Sequence, residues 1–232
     1  SENIWAFVEG SEHPDEIIVI SAHYDHVGME NSEVFNGADD DGSGTVALLE
    51  MAEAFIKAKK DGNGPKRSIL FLHVTGEEHG LHGSRFYSEN PLYPLANTVA
   101  DINIDMIGRR DNLHPNTNNY VYVIGSDRLS TELHTITNEV NDKYIKMDLD
   151  FRFNARDEPN RYYFRSDHYN FAKNGVPSVF LFNGVHDDYH KITDTPDKIE
   201  YDALEKRTQL AFMIAWELAN RKDRIKVDRD GQ

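Results

Sequence analysis

Short apolar runs alternate along this chain with segments whose apolar residues recur every three or four positions. Residues 16–22 (EIIVISA) and 67–74 (RSILFLHV) are almost continuously apolar, the pattern of strands covered on both faces. The opening SENIWAFVEG reads as a strand that starts at once, and residues 101–106, 120–124 and 176–182 read as further strands. Residues 43–59 carry Val46, Leu49, Ala52, Phe55 and Ile56 at helical spacing, with Ser43 or Asp41 placed to cap them. Helices are also predicted over 129–144 (Leu133, Ile136 and Val140 on one face), over 167–174 up to Gly175, and over 201–221 (Leu204, Ala211, Ile214, Leu218). DGNGP at 61–65 is a loop signal. This alternation predicts an α/β fold: one three-layer α/β/α domain over 1–221, with a mainly parallel mixed central sheet and helices on both faces. A charged tail over 222–232 is expected to be disordered.

Bulk properties narrow the field. With 40 acidic and 25 basic residues the formal charge is -15, which argues against a nucleic-acid partner. No stretch reaches the ~18 apolar residues of a membrane span. The first residues lack the basic-then-apolar order of a signal peptide, so the chain reads as a mature or excised domain. Cysteine is absent, which removes disulfides and thiolate metal sites.

Metal-ligating side chains follow the predicted strands. In His23-Tyr24-Asp25, Asp25 is placed to accept the second ring N–H of a metal-bound His23. H-x-D alone is a weak signal, and a surface histidine is the plain alternative. GADDDGSG at 37–44 sets three aspartates at a helix entry. A cap needs one carboxylate, which leaves Asp40 as a candidate bridge between two metals, with Asp39 and Asp41 as alternatives. Glu77 and Glu78 end an apolar strand. Neighbours in an extended chain point opposite ways, so one ligand and one base is the natural division. Asp105 lies among apolar residues in NIDMIG, where metal coordination or a salt bridge to Arg109 or Arg110 would keep it ionised. His190 sits in the loop DDYHKITDTPD. The other histidines, His26 among them, read as structural or surface residues, with His168 and His186 noted for their nearness to motifs. Sites in open α/β sheets gather at the carboxyl ends of strands, where these segments would meet.

SAHYDHVG, NGADDDGSGTVALLEMA, LFLHVTGEEHGLHGS, INIDMIGR, FRSDHYNFAKNGVPSVFLF and YHKITDTPDKI, in this order, resemble the co-catalytic two-zinc aminopeptidases of the MH clan, the group that includes secreted bacterial leucyl-type enzymes. The likeness runs from about residue 4 to 221. It implies two Zn2+ per chain: Asp40 bridging, His23 and Asp105 completing one site, Glu78 and His190 the other. It further implies Glu77 as general base, Asp25 as the partner of His23, and Tyr189 as support for the oxyanion. Implied too are peptide substrates with a free N-terminus and a secreted or periplasmic location. Rival readings are a one-zinc glutaminyl cyclase of the same fold and a carboxypeptidase drawing on Arg109, Arg152, Arg156, Arg161 or Arg165. A non-catalytic receptor-type domain is a third.

Overall fold

The computed structural model describes residues 1–231. In chain order its elements are β1 (Ile4–Val8), β2 (His13–His23), β3 (Met29–Glu30), β4 (Glu33–Val34), α1 (Gly42–Lys60), β5 (Arg67–Val74), α2 (His82–Glu89), β6 (Thr98–Ile104), β7 (Tyr120–Ile124), α3 (Thr131–Val140), β8 (Asp148–Asp150), α4 (His168–Ala172), β9 (Ser178–Phe182) and α5 (Tyr201–Asn220). Seven strands form one mixed sheet in the order β1-β5-β2-β6-β9-β7-β8, and β3 pairs with β4 apart from it. The centre is parallel: β2 runs with both β5 and β6, and β6 with β9. Antiparallel pairs flank it, β1 on β5 and β7 on β9. The apolar runs at 17–20 and 69–72 are fully buried because helices cover both faces. The α/β class and the mainly parallel sheet expected from the alternation are therefore present.

On one face α1, α3 and α5 pack over Ile18, Ile20, Ala22, Ile69 and Phe71. On the other, Tyr87 of α2 and Phe171 of α4 pack over Ile17, Val19, Leu70 and Leu72. Helix α1 turns Phe55 and Ala52 of the expected stripe inward, but not the rest. Val46, Leu49 and Ile56 are exposed, while Ala47, Leu48, Met51 and Phe55 are buried. The small Ser43, Gly44 and Ala47 on the buried face let the helix axis approach the sheet. Phe55 then reaches Phe71, Phe212 and Trp216, with ring centroids 4.8–6.0 Å away.

Helix α2, which has no apolar period to announce it, is held by close approach: a Cβ on Gly83 would lie 2.5 Å from the Thr75 backbone. The charged segment 222–231 is not disordered. Arg224 donates to the carbonyls of Ala96 and Thr98, Ile225 is buried in the core, and the Asp228 carboxylate accepts from the Thr131 N–H at 2.8 Å. No helix among the described residues is long and apolar enough to cross a membrane.

Candidate metal centre

Four parallel strands deliver the candidate residues to one edge of the sheet. His23 is the last residue of β2, Asp105 follows β6 directly, Glu77 and Glu78 lie three and four residues beyond β5, and His190 sits in the loop after β9. The entry to α1 supplies Asp40. Its three neighbouring aspartates divide the labour. Asp41 caps α1, accepting from the Gly44 N–H at 2.9 Å and the Met106 N–H at 3.0 Å. Asp39 accepts from the Gly108 N–H at 2.6 Å and pairs with His186 Nε2 at 3.0 Å. Asp40 alone faces the cavity between the strand ends.

Asp40 joins two clusters. Its Oδ1 lies 3.3 Å from His23 Nε2, which is 3.5 Å from Asp105 Oδ1. Its Oδ2 lies 3.0 Å from His190 Nε2, which is 3.0 Å from Glu78 Oε2. His26, which sequence reasoning set aside, joins the second cluster with Nδ1 2.8 Å from Glu78 Oε1. Donors sharing one tetrahedral zinc sit roughly 3.3 Å apart, given bonds of about 2.0–2.1 Å, and these spacings match. The atoms also lack other employment. His23 Nε2, His26 Nδ1, Asp40 Oδ2, Glu78 Oε1 and His190 Nε2 are buried without an aligned hydrogen bond, a costly state unless a cation lies among them. The donor set thus fits divalent ions: His23, Asp40 and Asp105 converge in one group and His26, Asp40 and Glu78 in another, with His190 Nε2 3.0 Å from both Asp40 Oδ2 and Glu78 Oε2.

The supporting contacts differ in part from expectation. His23 Nδ1 donates to the backbone carbonyl of Asp25 at 2.9 Å, with the Asp25 carboxylate 3.8 Å away. Asp25 does steady His23, but through its main chain. Its carboxylate accepts the Glu77 N–H at 3.3 Å instead. Asp105 Oδ2 accepts from the Ser166 hydroxyl at 2.7 Å, and Asn103 donates to Ser166 at 2.8 Å. Arg109 and Arg110 turn away to Asp188 and Glu200, so no salt bridge explains Asp105. Asp194, also missed in the sequence, accepts the N–H groups of Asp39 and Asp40 at 3.0 and 3.2 Å.

The electrostatics show how crowded these carboxylates are. Burial, reinforced by the nearby Asp105, Asp167 and Asp40, pushes the Glu77 carboxyl up to about 10, against the pull of His23. The Asp40 and Glu78 carboxylates beside it push the His190 imidazole up to about 10. Burial opposes charge on His23, yet Asp105 and Asp40 still hold its imidazole well above the usual range. In the metal-free chain protons balance the negative charge, a role that cations would take over.

Glu77, Glu78, Asp40 and Asp105 line one wall of a cavity of about 40 Å³. Met106, Phe180, Phe182 and Val185 form its apolar end, and Tyr162, Arg165 and Tyr189 stand beside it. The Tyr189 ring stacks on His190 at 3.9 Å. Of the other arginines considered, Arg109 is spent on Asp188, Arg152 on Asp150, and Arg161 lies over Phe164.

A probable leucine aminopeptidase of Trichophyton verrucosum is 29% identical over 224 residues, 94% of this chain and 57% of its own length. The chain thus spans a little over half of that relative. Among solved structures, the zinc aminopeptidase BSAP from Bacillus subtilis superposes with a TM-score of 0.73 at 23% identity, covering 97% of this chain and 52% of that one. Porphyromonas gingivalis glutaminyl cyclase superposes with 0.72 at 21% identity, covering 91% and 76%. These two likenesses establish the fold and leave the chemistry to the site. The sequence model of peptidase family M28 matches residues 3–215, and the chain therefore belongs to that family.

Proposed function

We propose that this chain is the catalytic part of a zinc-dependent aminopeptidase that removes the first residue of peptides with a free N-terminus, using two Zn2+ and Glu77 as general base. The observation that carries this reading is Asp40, whose two oxygens face two separate acid–imidazole clusters in the cavity that also holds Glu77. A one-metal cyclase needs only one such cluster. The aminopeptidase name of its sequence relative supports the same choice.

When bound, the two ions would polarise the scissile carbonyl and acidify a water. Glu77 takes the proton of the attacking water and returns it to the departing amine. A buried carboxyl among other carboxylates suits a group that must keep that proton between the two transfers. Tyr189, beside the cluster, donates its hydroxyl to the tetrahedral oxyanion. The apolar end at Met106, Phe180 and Phe182 receives the first side chain. Met106, Phe180 and Phe182 are buried, and a cavity of about 40 Å³ favours removal of a single residue.

The test is mass spectrometry of a mixed peptide pool after incubation with zinc-loaded protein. Loss of one N-terminal residue from free-amine peptides, with N-acetylated twins untouched, is the expected result. Loss of ~17 Da confined to Gln-initiated peptides would mean a cyclase, and the two-metal chemistry argued from the site would be withdrawn. Glu77→Gln should keep fold and metals while losing at least ~10²-fold in turnover. Near-normal turnover in the metal-loaded variant would remove Glu77 from the base role.

A further inference from the structure

We infer that His26 is a fourth protein ligand of the cation held by Asp40, Glu78 and His190. That ion then has four protein donors, while its neighbour at His23, Asp40 and Asp105 has three. The inference rests on the two-ion reading above and adds a residue that the motif pattern leaves out.

The His26 side chain is 9% exposed, with Nδ1 2.8 Å from Glu78 Oε1 and 3.8 Å from Asp40 Oδ2. At 2.8 Å a hydrogen bond would be expected, yet none is aligned, and both ring nitrogens are buried without a partner. His23 Nε2 and His190 Nε2 stand in the same relation to their carboxylates: close, converging and misaligned. His186 behaves differently. Its Nε2 lies 3.0 Å from Asp39 Oδ2 and the two do form a hydrogen bond. His26 therefore groups with the ligands, because a lone pair aimed beside a carboxylate oxygen points at a shared third body. Its ring meets the His190 ring edge-on, 79° between planes and 5.5 Å between centroids, so the two imidazoles approach the common point from different directions. The place for the ring is made by Gly37, where a Cβ would lie 2.6 Å from His26 Cγ.

Four protein donors close a zinc site, whereas three leave a position open. The ion at His26, Asp40, Glu78 and His190 should bind first and hold tightly. The exchangeable position falls to the ion at His23 and Asp105.

The experiment uses stripped wild-type protein and the variants His26→Ala and His26→Gln, with circular dichroism confirming the fold. Titration with Zn2+ should show two steps in the wild type. Both variants should weaken the first step by at least ~10-fold and change the Co2+ absorption spectrum of the first equivalent. Glutamine keeps an N–H that could hold Glu78, so wild-type affinity in His26→Gln would make His26 a mere hydrogen-bond donor and overturn the assignment. Unchanged affinity in both variants would overturn it as well. A measurement on unaltered protein guards against folding artefacts: with ¹⁵N-histidine label and ¹¹³Cd, one-bond coupling should reach His26 Nδ1, and its absence from a fully loaded sample refutes the proposal. Stoichiometry reads the two-ion proposal separately. One ion per chain, with coupling to His26, would retire that reading and keep His26 as a ligand.

Discussion

Asp194 offers the sharpest test of how Asp40, the proposed bridging carboxylate, is held. It is fully buried, and its Oδ2 accepts the main-chain N–H groups of Asp39 and Asp40 at 3.0 and 3.2 Å. Its own carbonyl accepts the Ala38 N–H at 3.2 Å, so the loop after His190 and the entry to α1 are laced together. Asp194→Ala would leave two buried N–H groups without acceptors. Hydrogen bonds to a charged group contribute about 1.5–3 kcal/mol each, so the gross loss is about 3–6 kcal/mol. Part of that will appear as lower stability and part as a displaced Asp40. Partners that orient metal ligands are worth about 10–100-fold in affinity, and Asp194→Ala should fall in that range. Asp194→Asn keeps one acceptor oxygen without the charge and should lose less. The assay is competition against a chromophoric chelator on folded protein, with thermal melts of loaded and stripped samples beside it. If Asp194 positions Asp40, affinity falls and the gap between the two melts narrows. If both melts drop equally while affinity stays within about twofold of wild type, the reasoning is wrong and Asp194 is only a loop brace.

Three further outcomes are expected. Because His190 and Glu77 are both pushed up to about 10 in the metal-free chain, bound ions must displace protons; zinc affinity should therefore rise as pH rises toward 9, and a flat profile in a chelator titration would contradict this. His168 is buried, which pulls its imidazole down to about 3, so its contribution to stability is complete above the unfolded value of ~6.5 and is lost as pH falls toward 3, reaching about 2 kcal/mol at pH 5. Urea unfolding of stripped protein at pH 7 and pH 5 should show His168→Phe losing less than wild type by about that amount, and equal losses would refute it. Arg165 lines the cavity over the Tyr162 ring, 5.1 Å from its centroid, with no carboxylate partner among the described residues; Arg165→Ala should cut kcat/KM about tenfold, or about 1.4 kcal/mol, on dipeptides with a free carboxylate and leave amide and anilide substrates alone, a split that equal losses on both would disprove.

Much of the fold was legible because its central strands are apolar on both faces, and His23, Glu77, Glu78 and Asp105 stood out as polar groups at the ends of those runs. What stayed hidden depends on packing. Helix α1 carries two apolar stripes, and only the small Ser43, Gly44 and Ala47 decide which one meets the sheet. Helix α2 is set by the contact of Gly83 with Thr75, and the turns over 151–164 by rings such as Phe153 and Tyr162 at 4.7 Å, none of which leaves a period in the sequence. His26 looked like one more loop histidine because its role depends on the shape of the loop around Gly37. Asp194 gave no signal of its own because its partners lie more than 150 positions away.

The same contrast explains why a centre like this divides into readable and unreadable parts. Residues that face the ions must be titratable, and burying such groups is costly enough that they betray themselves against apolar strands. Residues that aim them need only one well-placed acceptor, and a main-chain carbonyl serves as well as a carboxylate. Asp25 shows the difference: H-x-D pointed to its side chain, yet the backbone carbonyl holds His23, leaving the carboxylate free to fix the Glu77 N–H. One residue thereby positions a ligand of the first cluster and the main chain of the proposed base. Its substitution by asparagine would touch chiefly the second task, since the carbonyl remains.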